Sequence, residues 1–175
     1  MAGGRVTLVL GGAASGKSAH AETLAAQSSP RAVYIATAEA LDAEMDEKIE
    51  AHRARRGRAW ETVEAPLEVA AAIVRHDGPD ASILVDCLTL WLSNLLGEGR
   101  DAAAETDALV AVLSRLEGRI VLVSNELGLG LVPENALARS FRNLQGMLNQ
   151  RVAAAADDVV FVAAGLPLAL KGGGA

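Results

Sequence analysis

Residues 11–18 read Gly-Gly-Ala-Ala-Ser-Gly-Lys-Ser, directly after the apolar run Arg5–Leu10 and directly before an Ala-rich stretch of helical character. This G-x-x-x-x-G-K-[ST] spacing between a strand and a helix predicts a phosphate-binding loop. Gly11, Gly12 and Gly16 let the backbone fold closely around an anion, and its N–H groups converge with the positive end of the following helix on a nucleotide's phosphates. Lys17 is predicted to reach the β- and γ-phosphates, and Ser18 to offer its hydroxyl to Mg²⁺, which takes hard oxygen ligands shared between protein, water and phosphate. The competing reading, a Gly-rich turn ahead of a helix with no ligand, leaves the Lys-Ser pair without a role. A nucleoside triphosphate site is the expectation.

Short β-branched runs recur at Arg5–Leu10, Ala32–Ala36, Ser82–Asp86, Arg119–Ser124 and Asp158–Ala163 and are predicted as buried parallel strands. Helical patterns alternate with them, near Lys17–Ala26, Glu44–Arg56, Leu67–Arg75, Thr89–Leu96, Ala102–Leu116 and Pro133–Ala156. That order predicts a three-layer α/β sandwich around a mostly parallel sheet. In the last helix Leu137, Phe141, Leu144, Leu148 and Val152 are expected on the buried face, with Pro133 at its start. The 175 residues suffice for one compact domain with a proper core, and 1–175 is taken as a single P-loop nucleotide-binding and catalytic domain.

Several function classes are disfavoured by composition. A formal charge of −6 argues against a general nucleic-acid surface, which needs a basic footprint to displace counterions. No apolar segment reaches the roughly 18 residues that span a bilayer. The opening Met-Ala-Gly-Gly lacks the basic and apolar regions of a secretory signal, so a cytoplasmic protein is expected. A lone cysteine, Cys87, permits no internal disulfide and no thiolate metal cluster, and its apolar setting reads as structural.

A P-loop nucleotide's Mg²⁺ is usually held by, or water-linked to, a carboxylate at the end of a neighbouring strand. Asp86, closing Ser82-Ile-Leu-Val-Asp86, is the candidate, with a helix N-cap as its alternative role. Glu126, after the next predicted strand, is placed either toward the metal or acceptor hydroxyl or as a cap for its own loop. Farther up the chain, residues 48–64 gather Arg53, Arg55, Arg56 and Arg58 around His52 in an otherwise acidic protein. Neutral imidazole is a competent nucleophile toward phosphorus, and guanidinium groups stabilise developing phosphate charge. Composition alone favours the plainer reading of a solvated basic helix end.

An ordered series of motifs bears on that choice. After the P-loop come Tyr34-Ile-Ala-Thr37, Glu44-Met45, His52-Arg with Arg55-Arg56, Trp60-Glu-Thr-Val-Glu64 and Asp86-Cys-Leu-Thr-Leu-Trp-Leu92. Ser124-Asn-Glu-Leu-Gly128, Gly130-Leu-Val-Pro-Glu134, Ala138-Arg, Phe141-Arg, Asn149-Gln and Ala156-Asp157 complete it. Across nearly the whole chain this series resembles the bifunctional adenosylcobinamide kinase / adenosylcobinamide-phosphate guanylyltransferase family of cobalamin biosynthesis. The resemblance implies a RecA-like P-loop NTPase fold and two reactions on one corrinoid. ATP or GTP phosphorylates adenosylcobinamide. GTP then guanylylates a histidine, and GMP passes to adenosylcobinamide phosphate, giving adenosylcobinamide-GDP.

In that pattern His52 matches the guanylylated histidine and Lys17 is the second catalytic candidate. Nucleotide contacts are implied for Gly11, Gly12, Ala13, Ala14, Ser15, Gly16, Lys17 and Ser18, for Ala36, Thr37 and Ala38, for Arg53, Ala54, Arg55 and Arg56, and for Glu64 and Asp86. Ser18 and Asp86 would serve Mg²⁺, while Glu64 suits the nucleoside because a carboxylate accepts from guanine's N–H groups. The partners implied are the corrinoid and two further copies of the chain in a homotrimer, with no nucleic acid and no membrane span.

Two positions depart from the family's habit: Ala14 stands where Arg is common in the P-loop, and Gly57 where Pro often follows Arg-Arg. Both bear on rate rather than reaction class. His20 and His76 are expected at the surface, and Trp60 and Trp91 in the core or an interface. Two rivals remain: a kinase for another small hydroxylated molecule with His52 outside the chemistry, and a nucleotide-dependent binding switch.

Overall fold

The computed structural model describes residues 4–27, 31–38 and 60–173. Seven strands, β1 (Arg5–Gly11), β2 (Arg31–Ala36), β3 (Trp60–Glu64), β4 (Ala81–Asp86), β5 (Arg119–Asn125), β6 (Asp158–Ala163) and β7 (Leu166–Lys171), form one sheet in the order β3-β2-β4-β5-β1-β6-β7. β1 to β6 are mutually parallel and β7 returns antiparallel along β6. The described helices are α1 (Lys17–Ala26), α2 (Val69–His76), α3 (Leu88–Gly97), α4 (Ala102–Leu113) and α5 (Ala136–Ala155). The expected helix over 44–56 lies outside the described residues.

Parallel strands covered on both faces must be apolar at nearly every position, and the central ones are. Val6, Leu8 and Leu10 of β1, Ile83 and Val85 of β4 and Ile120 and Leu122 of β5 meet α2 to α5 through Ile73, Leu88, Trp91, Leu95, Leu109 and Val152. The alternate residues Val9, Leu84, Val121, Val123, Val160 and Val162 meet α1 through Ala21, Leu24 and Ala25. The three-layer α/β architecture and mostly parallel sheet expected from the sequence are therefore present. β5 lies between the P-loop strand β1 and the Asp86 strand β4.

Both edge strands escaped the sequence reading. β3 carries Glu61, Thr62 and Glu64 exposed, so it lacks the apolar run of a buried strand. In β7 every residue is exposed and Pro167 interrupts the β pattern, which an edge tolerates because the missing N–H faces no partner strand. The last helix begins at Ala136 rather than Pro133, because Asn135 caps it, its Oδ1 accepting from Leu137 N–H at 2.7 Å and Ala138 N–H at 3.3 Å. Leu137, expected in the core, is 76% exposed. The buried stripe of α5 runs through Gln145, Leu148, Asn149 and Val152.

Candidate nucleotide site

Parallel strands in register bring their C-terminal ends to one edge. Gly11 pairs with Asn125 and Val162, Asp86 with Val123 and Ala36, and Ala36 with Glu64. The sheet thus aligns the P-loop with residues 36–38, Asp86 and Glu126, at the edge where open α/β sheets bind ligands.

Gly11 is the last residue of β1, and a side chain there would run into Val162 O at 2.6 Å and Ser15 Oγ at 2.5 Å. The loop then curls so that Ser15 N–H reaches Gly12 O at 3.4 Å, with Ala14 at φ 54° and Gly16 at φ 93°. Glycine meets the second requirement without steric cost, whereas Ala14 holds a left-handed conformation that its Cβ disfavours. Lys17 opens α1 and folds its Nζ onto Gly12 O at 3.2 Å, across the mouth of the loop. Ser18 follows in the first helical turn, half-buried.

Asp86 ends β4, and the N-cap position of α3 belongs to Cys87, one residue later. The Cys87 thiol reports what surrounds it. Burial, then the Asp86 carboxylate, push its pKa up to about 11, while the Leu90 and Thr89 N–H groups and the Lys17 ammonium pull the other way. One buried sulfur therefore senses both the P-loop lysine and the β4 carboxylate. Ser18 and Asp86 supply hard oxygen donors, and among the described residues no group of three His, Cys, Asp or Glu could hold an ion alone. This donor set fits Mg²⁺ completed by water and phosphate rather than an all-protein cage.

Thr37 is fully buried and its polar groups serve the scaffold. Its Oγ1 donates to Cys87 O at 2.8 Å and accepts from Cys87 N–H at 2.7 Å. Its own N–H donates to Asp86 O at 3.3 Å, and its carbonyl accepts from Asn94 Nδ2 at 2.8 Å. Ala36 and Ala38, on either side, are half-buried. Glu126 is taken up locally: its main-chain N–H donates to Gly11 O at 3.1 Å and its carboxylate accepts from Gly128 N–H, the loop-capping role. Glu64 stands on β3, four strands from β1 in the sheet order, or roughly 19 Å at the usual inter-strand spacing. That separation sets Glu64 apart from Lys17 and the P-loop. His52, Arg53, Ala54, Arg55 and Arg56 lie outside the described residues.

Some supports of the site were not found from sequence. Asn94 bridges Thr37 O and Pro66 O, and Thr89 Oγ1 accepts from Asn125 N–H at 2.9 Å. Under β5, Gln145 Nε2 donates to Ser124 Oγ at 2.9 Å and to Asn149 Oδ1 at 3.0 Å. A polar pair inside the apolar stripe of α5 is the signal that could have revealed these last contacts. His76, expected at the surface, has a side chain only 12% exposed, 3.6 Å from Glu61. Trp91 is core, with Nε1 donating to Leu67 O at 2.8 Å. Trp60 meets Tyr34 edge-on at 6.5 Å between ring centres.

The model of the cobinamide kinase / cobinamide phosphate guanyltransferase family matches residues 7–170. The chain belongs to this family. It is 49% identical to the bifunctional adenosylcobalamin biosynthesis protein CobP of Pseudomonas aeruginosa, over 94% of this chain and 96% of that protein. It is 42% identical to CobU of Salmonella typhimurium and 41% to CobU of Escherichia coli, each over 94% of this chain and 98% of the relative. Among solved structures, the RadB recombinase aligns at 14% identity and a TM-score of 0.49, over 91% of this chain and 74% of that one. Membership makes this chain a bifunctional cobinamide kinase and cobinamide-phosphate guanylyltransferase of cobalamin biosynthesis, using ATP or GTP.

Proposed function

We propose that both activities of the family run in this chain as one domain over 1–175, with the P-loop and the His52 segment dividing the chemistry. The observation that carries this is the alignment of Gly11–Ser18, Ala36–Ala38 and Asp86 on one sheet edge, where β2, β4, β5 and β1 pair in register.

In the kinase step Lys17 and the loop's N–H groups hold the β- and γ-phosphates and offset the charge that builds on the transferred group. The aminopropanol hydroxyl of adenosylcobinamide attacks the γ-phosphorus, the bond to the β-phosphate oxygen breaks, and the hydroxyl proton leaves to solvent or to a nearby carboxylate. Ser18 and Asp86 are the residues that would hold Mg²⁺, which when bound neutralises phosphate charge and aligns the oxygens for in-line displacement.

In the transferase step a ring nitrogen of His52 attacks the α-phosphorus of GTP, forming a P–N bond as the bond to pyrophosphate breaks. Arg53, Arg55 and Arg56 take the charge of the departing pyrophosphate, and Glu64 accepts from the guanine N–H groups. A phosphate oxygen of adenosylcobinamide phosphate then displaces the imidazole and regenerates His52. The assembly is a homotrimer in the cytoplasm. The exposed row Leu166, Leu168 and Leu170 on β7 supports association, since such a row is unusual on an isolated surface.

The test supplies adenosylcobinamide, Mg²⁺ and ATP, then GTP, and follows products by mass. Adenosylcobinamide phosphate and then adenosylcobinamide-GDP are expected from the native chain, and His52→Ala should stop at the phosphate. Adenosylcobinamide-GDP from His52→Ala at the native rate would overturn the division of labour.

A further inference from the structure

The β6–β7 hairpin turns through Ala164 and Gly165, with φ values of 51° and 76°. Two consecutive positive φ angles in a two-residue loop are the signature of a type I′ turn, whose twist matches the flanking strands. This turn reaches the P-loop. Gly165 N–H donates to Ser15 O at 2.8 Å, and a Cβ placed on Gly16 would come within 3.1 Å of Gly165 Cα and 3.9 Å of Val162 Cγ1. The contact is thus close as well as hydrogen-bonded, and its frame is fixed because Val162 of β6 pairs directly with Gly11.

A trans peptide is planar, with its carbonyl and N–H pointing in opposite directions. When Ser15 O is held by Gly165, the N–H of Gly16 on the same peptide plane must point away from the hairpin. That group belongs to the N–H set that a P-loop presents to phosphate. Resting on the reading of Gly11–Ser18 as a phosphate site, we propose that Gly165 is a positioning residue for the bound nucleotide: the edge hairpin sets the Ser15–Gly16 peptide so that Gly16 N–H is oriented before phosphate arrives. Preorganised donors bind anions better because they need no rotation on binding. β7, exposed at every position and outside the central core, gains a role as the return strand that fixes this turn.

The turn offers a clean contrast. A Cβ at Gly165 would meet nothing within 4 Å, so a substitution there acts through φ and not through a clash. Gly165→Val forces the backbone out of the left-handed region, whereas Gly165→Asn tolerates it and keeps the N–H. The experiment measures Mg·GTP affinity and the KM of the kinase step for ATP in the full-length native protein, Gly165→Val, Gly165→Asn and Lys17→Ala. Gly165→Val should weaken both roughly tenfold, the order of one hydrogen bond, while Gly165→Asn stays within about twofold.

Native affinity in Gly165→Val, alongside loss in Lys17→Ala, overturns the proposal and spares the P-loop reading. Equal loss in Gly165→Val and Gly165→Asn also overturns it, because Asn preserves both donor and conformation. Native affinity in Lys17→Ala removes the phosphate reading on which the proposal stands. Should Gly165→Val fail to fold, a semisynthetic full-length chain with an ester at Ala164–Gly165, which deletes that N–H alone, carries the same expectation of roughly tenfold weaker binding, and native affinity there overturns the proposal.

Discussion

Thr37 and Cys87 are joined twice, one hydroxyl closing on both the N–H and the carbonyl of the same residue at 2.7 and 2.8 Å. This pair ties the end of β2 to the end of β4 and fixes the chain immediately after Asp86. It makes Thr37 a support of the site, with its side chain turned into the scaffold.

Thr37→Val keeps the shape of that side chain but leaves two buried backbone groups unpaired, each costing about 1–3 kcal/mol. The variant should lose about 2–4 kcal/mol in chemical denaturation and lower kcat of the kinase step. Thr37→Ser retains the hydroxyl and should lose less than about 1.5 kcal/mol, the order of a buried methyl deletion. Equal losses in the two variants would contradict the bridging role.

Cys87 should be chemically silent. Burial and the Asp86 charge raise its pKa to about 11, so at pH 8 only about one thiol in a thousand is ionised. The native protein should resist thiol reagents at that pH and label fully once denatured. Cys87→Ala should retain both activities to within severalfold. Rapid native labelling would show that the thiol is accessible and ionised.

Asp158 is the acid-sensitive contact away from the site. Its carboxylate accepts from Arg5 Nε at 2.6 Å and Nη2 at 2.9 Å, and this hydrogen bonding holds its pKa below the usual range against the opposing effect of burial. Because the folded-state pKa is depressed, the stabilisation is present above the unfolded value of about 4 and is lost as pH falls through the folded value. Asp158→Asn should cost about 1–2 kcal/mol at pH 7, a figure reduced for the half-exposed Arg5. The difference from the native chain should shrink below about pH 4 in thermal unfolding. A difference that stays constant down to pH 3 would remove the charge from the explanation.

Asp86→Asn is nearly isosteric but loses the negative charge that would face Mg²⁺. The kinase rate should fall by roughly two orders of magnitude with little change in thermal stability. A rate within twofold of native would place the metal elsewhere.

The layout of this fold was legible where burial dictates pattern. The central strands, buried on both faces, had to be continuous apolar runs, and α1 begins and ends where its loop and composition predict. β3 and β7 were not legible because an edge strand needs no such run, and the Ala164-Gly165 turn lacks the Asn-Gly that usually marks a hairpin. At the sheet edge, the placement of Lys17 and Ser18 in the first turn of α1 and of Asp86 at the end of β4 could be read from motif and pattern. Loop capping was one of the two roles open to Glu126, and its bond is local, to Gly128 two residues on, whereas the inward turn of Thr37 was not legible because it depends on where the Cys87 backbone arrives from a neighbouring strand. The burial of Gln145 and Asn149 was not legible for the same reason: they lie inside because Ser124 and Asn125 need partners there.

If one chain both phosphorylates and guanylylates, it does so through separate groups, Lys17 and His52. The decisive measurement incubates native protein, His52→Ala and Lys17→Ala with Mg²⁺ and GTP labelled at the α-phosphate and maps covalent label. Acid-labile, alkali-stable label is expected on His52 in the native protein and none in His52→Ala, whose kinase activity persists. Undiminished label in His52→Ala, or none in a native protein that binds GTP, would contradict this reading.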